Sequence, residues 1–296
     1  MLEFRDIDIT DKNQITAALR ASDFMGCEYS FANNMAWKRL GDSKIAFYKD
    51  FYISCAFRTA DGIPSFVFPS GTGNLREVIT EMKKFAESLG MPLRITGVTQ
   101  PALSVLKELF SDSFTYSCCQ DDCDYIYNAD DLITLKGKKY HGKRNHLARF
   151  NELGAEFSLI TEKDFDDCIT FSALEYNEKR ELNDHSFVAE QYAIHTFFNY
   201  FSELGISGGI IRIGGKIAAF TIGEGLNSNT FCVHIEKADT GYNGIYVGIN
   251  NSFAKNAAVG FKYINREEDL GIEGLRKSKL SYHPAFLLEK YTVIFK

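Results

Sequence analysis

The chain has 296 residues, 45% of them hydrophobic, enough for one large core or two of ordinary size. Its 33 basic and 39 acidic residues give a net charge of -6, which excludes nonspecific wrapping of nucleic acid or broad adhesion to an anionic membrane. No apolar run approaches the roughly 20 residues that span a bilayer, and the N-terminus lacks a secretory apolar segment, so a cytoplasmic location is expected.

The first predicted elements are a hairpin, residues 51–58 and 63–69, turned by Asp61-Gly62. Leu75, Val78, Ile79, Met82, Phe85 and Ala86 then set helical spacing over 75–89, and a strand follows at Leu93-Arg94-Ile95. Seven cysteines, with Cys118, Cys119 and Cys123 in no paired C-x-x-C pattern, read as reduced thiols. Neither a disulfide framework nor a metal site is expected.

From Lys136 to Arg149 there are six Lys and Arg residues and no acid, a basic helix predicted over 138–151. Helical spacing puts Tyr140, Arg144 and Leu147 on one stripe, so Arg144 calls for an anion, either a carboxylate or a phosphate. Helices are predicted over 162–180 and 187–204, the first capped by Thr161 with Asp164 three positions on. Phe165, Phe171, Leu174, Tyr192, Phe197, Phe198 and Phe201 read as their core side.

Strands at 208–213, 216–223 and 230–236 follow, with a tight turn at Gly214-Gly215. Strict alternation along 231–236 places Cys232, His234 and Glu236 on one polar face, about 7 Å between neighbours, either a partly exposed strand end or a face on which His234 and Glu236 border one cavity as base and orienter or as bases in series. Asp239-Thr240-Gly241-Tyr242-Asn243-Gly244 leads into a helix from Ile245, and its amides would suit a phosphate. A strand at 261–264 ends at Asn265, Glu268 and Asp269, with Asp269 as cap of a helix from about 272. In that helix Ile272, Leu275, Lys279 and Tyr282 form an inward stripe, and Glu268, Asp269 or a ligand anion would pair with Lys279.

Hairpin, helix and strand thus occur twice with similar spacing, which predicts a duplicated α/β unit. The strand ending in Glu236, the Gly241-x-x-Gly244 turn, the helix, the next strand and a helix carrying Tyr282 resemble the GNAT acyltransferase fold. Gly142-Lys143-Arg144-Asn145 and Asn265-x-x-x-Asp269-Leu270-Gly271-x-x-Gly274-Leu275-Arg276-x-x-Lys279 resemble a bacterial family grouped with the soluble C-terminal domain of phosphatidylglycerol lysyltransferases. The tandem arrangement is also similar to that of the peptidoglycan-bridge aminoacyltransferases.

This resemblance implies an α/β (α+β) fold of two tandem GNAT-like units, each a mixed, mostly antiparallel sheet flanked by helices. Residues 1–134 would form a degenerate unit and 135–296 the active one. It also implies transfer of an acyl group from acyl-CoA or of an aminoacyl group from aminoacyl-tRNA to an amine or hydroxyl acceptor. Gly241, Tyr242, Asn243, Gly244 and Ile245 would receive the donor phosphates, Glu236 would act as base and Tyr282 as acid, with His234 beside them as the catalytic candidate that the strand pattern alone offers. Arg144, Asn145, Asn265, Glu268, Asp269, Arg276 and Lys279 would form a substrate or structural charge network. Asp239 stands where the superfamily's phosphate turn has Gln or Arg, which motivates the alternative of a noncatalytic ligand sensor.

Overall fold

The computed structural model describes residues 2–111, 113–179 and 185–296. The chain forms two compact units: residues 1–124 with 268–271 and 288–296, and residues 125–267 with 272–287. A single boundary near residue 134 is thus replaced by a division in which the C-terminal segment belongs to the first unit.

The first unit begins with α1 (Lys12–Ser22), α2 (Phe31–Trp37), β1 (Ser43–Tyr48), β2 (Phe51–Ala56), β3 (Ser65–Val67) and β4 (Ser70–Gly71). It continues with α3 (Leu75–Ser88), β5 (Arg94–Val98), α4 (Gln100–Phe110) and β6 (Phe114–Cys118). The predicted hairpin at Asp61-Gly62 is the β2–β3 pair. α3 forms where expected: Asn74 Oδ1 caps the Glu77 amide at 3.2 Å, and Val78, Ile79, Met82 and Ala86 bury one stripe. That stripe and Leu103 and Leu106 of α4 pack with Ile53, Phe66 and Ile95 of the sheet.

The second unit carries β7 (Asp124–Asn128), α5 (Ala129–Thr134), α6 (His141–Asn151), β8 (Glu156–Leu159), α7 (Phe165–Lys179), α8 (His185–Asn199) and α9 (Phe201–Leu204). Then come β9 (Ser207–Ile213), β10 (Lys216–Gly225), β11 (Thr230–Ala238), α10 (Ile245–Ala257), β12 (Tyr263–Asn265), α11 (Glu273–Leu280) and β13 (Phe286–Leu288). β14 (Tyr291–Phe295) completes the first sheet, whose order is β1-β2-β3-β5-β14-β6 with β4 on β2. Val293 and Phe295 fill that core, a long-range closure no local pattern announces. The second sheet runs β13-β7-β12-β11-β10-β9-β8.

One face of the second sheet carries α10, whose Ile245 and Ile249 pack on Ile211, Ala219 and Ala238. The other carries α7 and α8, through ring contacts of Phe171 and Phe198 with Phe220. Thr161 and Asp164 form the expected reciprocal cap before α7. Leu174 is exposed rather than core, and the predicted helix end at Arg180 and helix start at Phe187 lie outside the described residues and side chains.

Candidate active site

The ladder between β11 and β12 covers Thr230, Phe231 and Cys232, which face Tyr263, Ile264 and Asn265. β12 stops there while β11 runs on to Ala238, so the strands part, and Arg266 and Glu267 reach back to β11 across the gap. Buried Asn265 accepts the Glu267 amide at 2.7 Å and so holds Glu267 in a left-handed conformation, φ 57°. Lys279 Nζ donates to the Arg266 and Glu267 carbonyl oxygens at 2.6 and 3.1 Å. Within this unit the lysine therefore steadies the turn that aims the two side chains.

Alternation fails at His234. Gly223 faces Val233 and Ile222 faces Ile235, so His234 is the extra residue of a β-bulge. Glu236 consequently turns to the α10 face, where Asn250 meets it, while Cys232 and His234 stay on the α8 face against Phe197. The expected single polar face of Cys232, His234 and Glu236 is split in two.

On the α10 face, Arg266 Nη2 donates to Glu236 Oε1 at 2.8 Å and Asn250 Nδ2 to Oε2 at 3.2 Å. Burial alone would lower the Arg266 pKa, but the Glu236 carboxylate outweighs it and holds the guanidinium charged. The Arg266 guanidinium lies 4.8 Å from the Tyr282 ring centroid, and the Lys143 ammonium 3.5 Å from it. Lys143 also donates to Ser281 Oγ at 2.7 Å. Burial first, and the Arg266 charge second, push the Lys143 pKa down to about 8. Arg266 Nη1 and Asn250 Oδ1 are buried and have no hydrogen-bond partner among the described residues.

On the α8 face, His234 Nδ1 lies 2.8 Å from Glu267 Oε1 and Nε2 lies 3.1 Å from Glu224 Oε1. Burial disfavours charge on His234, but Cys232, Glu224 and Glu267 outweigh it and lift its pKa well above the ordinary histidine range. Both ring nitrogens are thus engaged by carboxylates, which leaves His234 poorly placed to act as the base.

The family model for phosphatidylglycerol lysyltransferase, C-terminal, matches residues 19–294. The chain belongs to that family. A structure from Bacteroides thetaiotaomicron, a conserved protein of unknown function, is 36% identical, with 100% of each chain covered and a TM-score of 0.92. L-PGS from Bacillus licheniformis shares the fold at 17% identity, covering 97% of this chain and 92% of that one, with a TM-score of 0.67. An uncharacterized protein of Mycoplasmoides gallisepticum is 26% identical over 182 residues, 59% of this chain and just 56% of that relative. The fold is of the expected α/β class, two mixed sheets flanked by helices, and the family is that of the phosphatidylglycerol lysyltransferase C-terminal domain.

In this member of the lysyltransferase family the glycine turn is already occupied by its own chain. Asp239 Oδ1 accepts the Gly241 amide at 2.8 Å, the Tyr242 amide goes to the Asp239 carbonyl and the Ile245 amide to the Tyr242 carbonyl. Three amides expected to receive donor phosphates are thereby engaged. Gly244, φ 89°, is required for packing: a Cβ there would stand 2.2 Å from the His146 carbonyl oxygen of α6. Tyr242 and Ile245 pack into the core beneath, and Asn243 Oδ1 lies 3.4 Å from His146 Nδ1.

The remaining expected residues divide between the units. Arg144 donates to the Leu135 and Gly137 carbonyl oxygens at 2.6 and 2.7 Å, so the anion expected of it is replaced by a turn it holds. Asn145 is exposed, 3.4 Å from His141, and Arg276 is half-buried on α11. Asp269 does not cap α11, which starts from Ile272 without a side-chain cap; it accepts the Gly271 amide at 2.9 Å. Ile272 and Leu275 are exposed, so only Lys279 and Tyr282 of the inward stripe are buried, and Tyr282 lies beyond the helix end.

Glu268 belongs to the first unit, in a buried cluster around Lys290. There Lys290 Nζ lies 2.7 Å from Asp124, 3.4 Å from Glu28 and 3.5 Å from Glu268. Burial raises Glu28 to about 7 even against the Lys290 charge.

Sequence reasoning missed Arg266 and Lys143 as the centre of the α10-face site. The one available signal was an arginine directly after a strand end, where an exposed loop would be expected to leave it solvated.

Proposed function

We propose that the second unit transfers an aminoacyl group from aminoacyl-tRNA to an amine or hydroxyl acceptor at the α10 side of the parted strands. The observation that carries the reading is the buried Arg266, paired with Glu236 through Nη2 and with Nη1 unsatisfied, next to an amine near neutrality at Lys143. The acceptor attacks the ester carbonyl carbon as neutral Lys143 takes its proton. Arg266 Nη1 donates to the oxygen that gains charge, with Glu236 fixing its plane. The ester C–O bond then breaks, and the Lys143 ammonium returns the proton to the departing ribose hydroxyl. Tyr282, whose burial raises its pKa, serves as the surface on which the two cations rest rather than as the acid.

The engaged amides of the glycine turn favour this donor over CoA, whose pyrophosphate would need them. Exposed Lys136, Lys138 and Arg149 offer contacts for RNA phosphates within an otherwise acidic chain. The test is incubation of the full chain with labelled aminoacyl-tRNA or labelled acetyl-CoA and a panel of amines and phosphatidylglycerol vesicles. Product from aminoacyl-tRNA alone supports the reading. Product from acetyl-CoA alone overturns the donor, and no product with either overturns transfer.

A further inference from the structure

The α8-face cluster is not used by this mechanism, and its donor set has a chemistry of its own. Cys232 Sγ lies 3.7 Å from His234 Nδ1 and 3.9 Å from Glu267 Oε1, and those two atoms are 2.8 Å apart. Tetrahedral zinc with one sulfur, one nitrogen and one oxygen ligand sets donor separations of roughly 3.4–3.6 Å, from metal–ligand distances of about 2.0–2.3 Å. Closing the sulfur by a few tenths of an ångström and opening the nitrogen–oxygen pair by about half an ångström would accommodate it. We propose that Cys232, His234 Nδ1 and Glu267 bind a divalent cation of the zinc type, with a fourth position open.

Glu224 supplies the support such a site requires. Its carboxylate faces His234 Nε2 at 3.1 Å, which keeps a hydrogen on that nitrogen and aims the Nδ1 lone pair at the cation. Phe197, stacked at 5.7 Å and 12° on the imidazole, fixes the ring plane. Binding would release the Sγ proton and any proton on Nδ1 to solvent, because the cation takes the thiolate and the neutral imidazole nitrogen.

The mixture of thiolate, imidazole and carboxylate suits zinc rather than magnesium or calcium, which prefer oxygen alone. The analogous group in the first unit, Cys27, Asp124 and Glu268, is filled by the Lys290 ammonium and carries no such proposal. A cation here would tie the β11 bulge to the residue following Arg266, and so hold the parted strands in register.

The experiment is titration of chelator-treated full chain with zinc chloride by calorimetry, and with cobalt chloride by absorption spectroscopy. One zinc per chain and a thiolate-to-cobalt charge-transfer band are expected. Cys232→Ala should abolish the band, and Glu224→Gln should weaken binding roughly ten- to a hundredfold while keeping it. Far-UV circular dichroism checks that each variant is folded. Absence of stoichiometric binding by folded wild-type protein overturns the proposal, as does a band that persists in Cys232→Ala.

Discussion

Removing the Glu236 carboxylate isolates a buried guanidinium, and the size of the effect follows from the geometry. The side chains of Glu236 and Arg266 are each 11% exposed and meet at 2.8 Å, so little water can replace the lost partner. Breaking a buried pair by deleting one member costs about 3–5 kcal/mol, and the Asn250 bond adds about 1 kcal/mol. At about 2–4 °C per kcal/mol for a unit of this size, Glu236→Leu should lower Tm by roughly 8–24 °C. Arg266→Met should cost a similar amount, since it strands the carboxylate. The double variant should cost far less than the sum, because apolar neighbours then replace both charges. Thermal unfolding of all four proteins by circular dichroism measures the cycle. Additive losses would refute the claim that these two charges exist for one another.

Four further outcomes follow from the same structure. The rate of transfer should rise with pH through about 8 as Lys143 loses its proton, and Lys143→Met should flatten that profile in a pH-rate series. Because the folded Lys143 binds its proton less tightly than the unfolded chain does, stability should also rise with pH between about 8 and the ordinary lysine range. Gly244→Ala, which drives a methyl into the His146 carbonyl at a left-handed φ, should destabilise by about 2 kcal/mol or more in urea unfolding. Glu28, raised to about 7, contributes stability that is complete below the ordinary glutamate pKa and lost as pH rises through 7. Glu28→Gln should therefore raise Tm at pH 8 and leave it nearly unchanged at pH 4, and a pH-independent shift would contradict this.

Much of the fold was legible because it is written in short-range periods. The apolar stripe of α3, the hairpin turn at Asp61-Gly62 and the three strands before α10 all depend on residues within a few positions of each other. The site was less legible because its geometry depends on exceptions to those periods. A single extra residue at His234 reverses the face of Glu236, and nothing in an alternating run marks where a bulge falls. Arg144 and Lys143 are neighbours in one basic helix, yet one holds a turn through carbonyls and the other rests on the Tyr282 ring. Their roles are set by partners 138–139 positions away or by a local loop, and composition treats the two alike. Asp269 satisfied the rule for a helix cap, but the left-handed turn at Leu270 and Gly271 delays α11 beyond its reach.

The most direct test of the central claim is single-turnover transfer from labelled aminoacyl-tRNA by wild-type protein and by Arg266→Gln, with the fold of both confirmed by circular dichroism. Loss of a preorganised donor to the developing oxyanion should slow the variant by roughly a hundred- to a thousandfold at saturating donor. Equal rates in the two folded proteins would contradict the account and move the chemistry away from the parted strands.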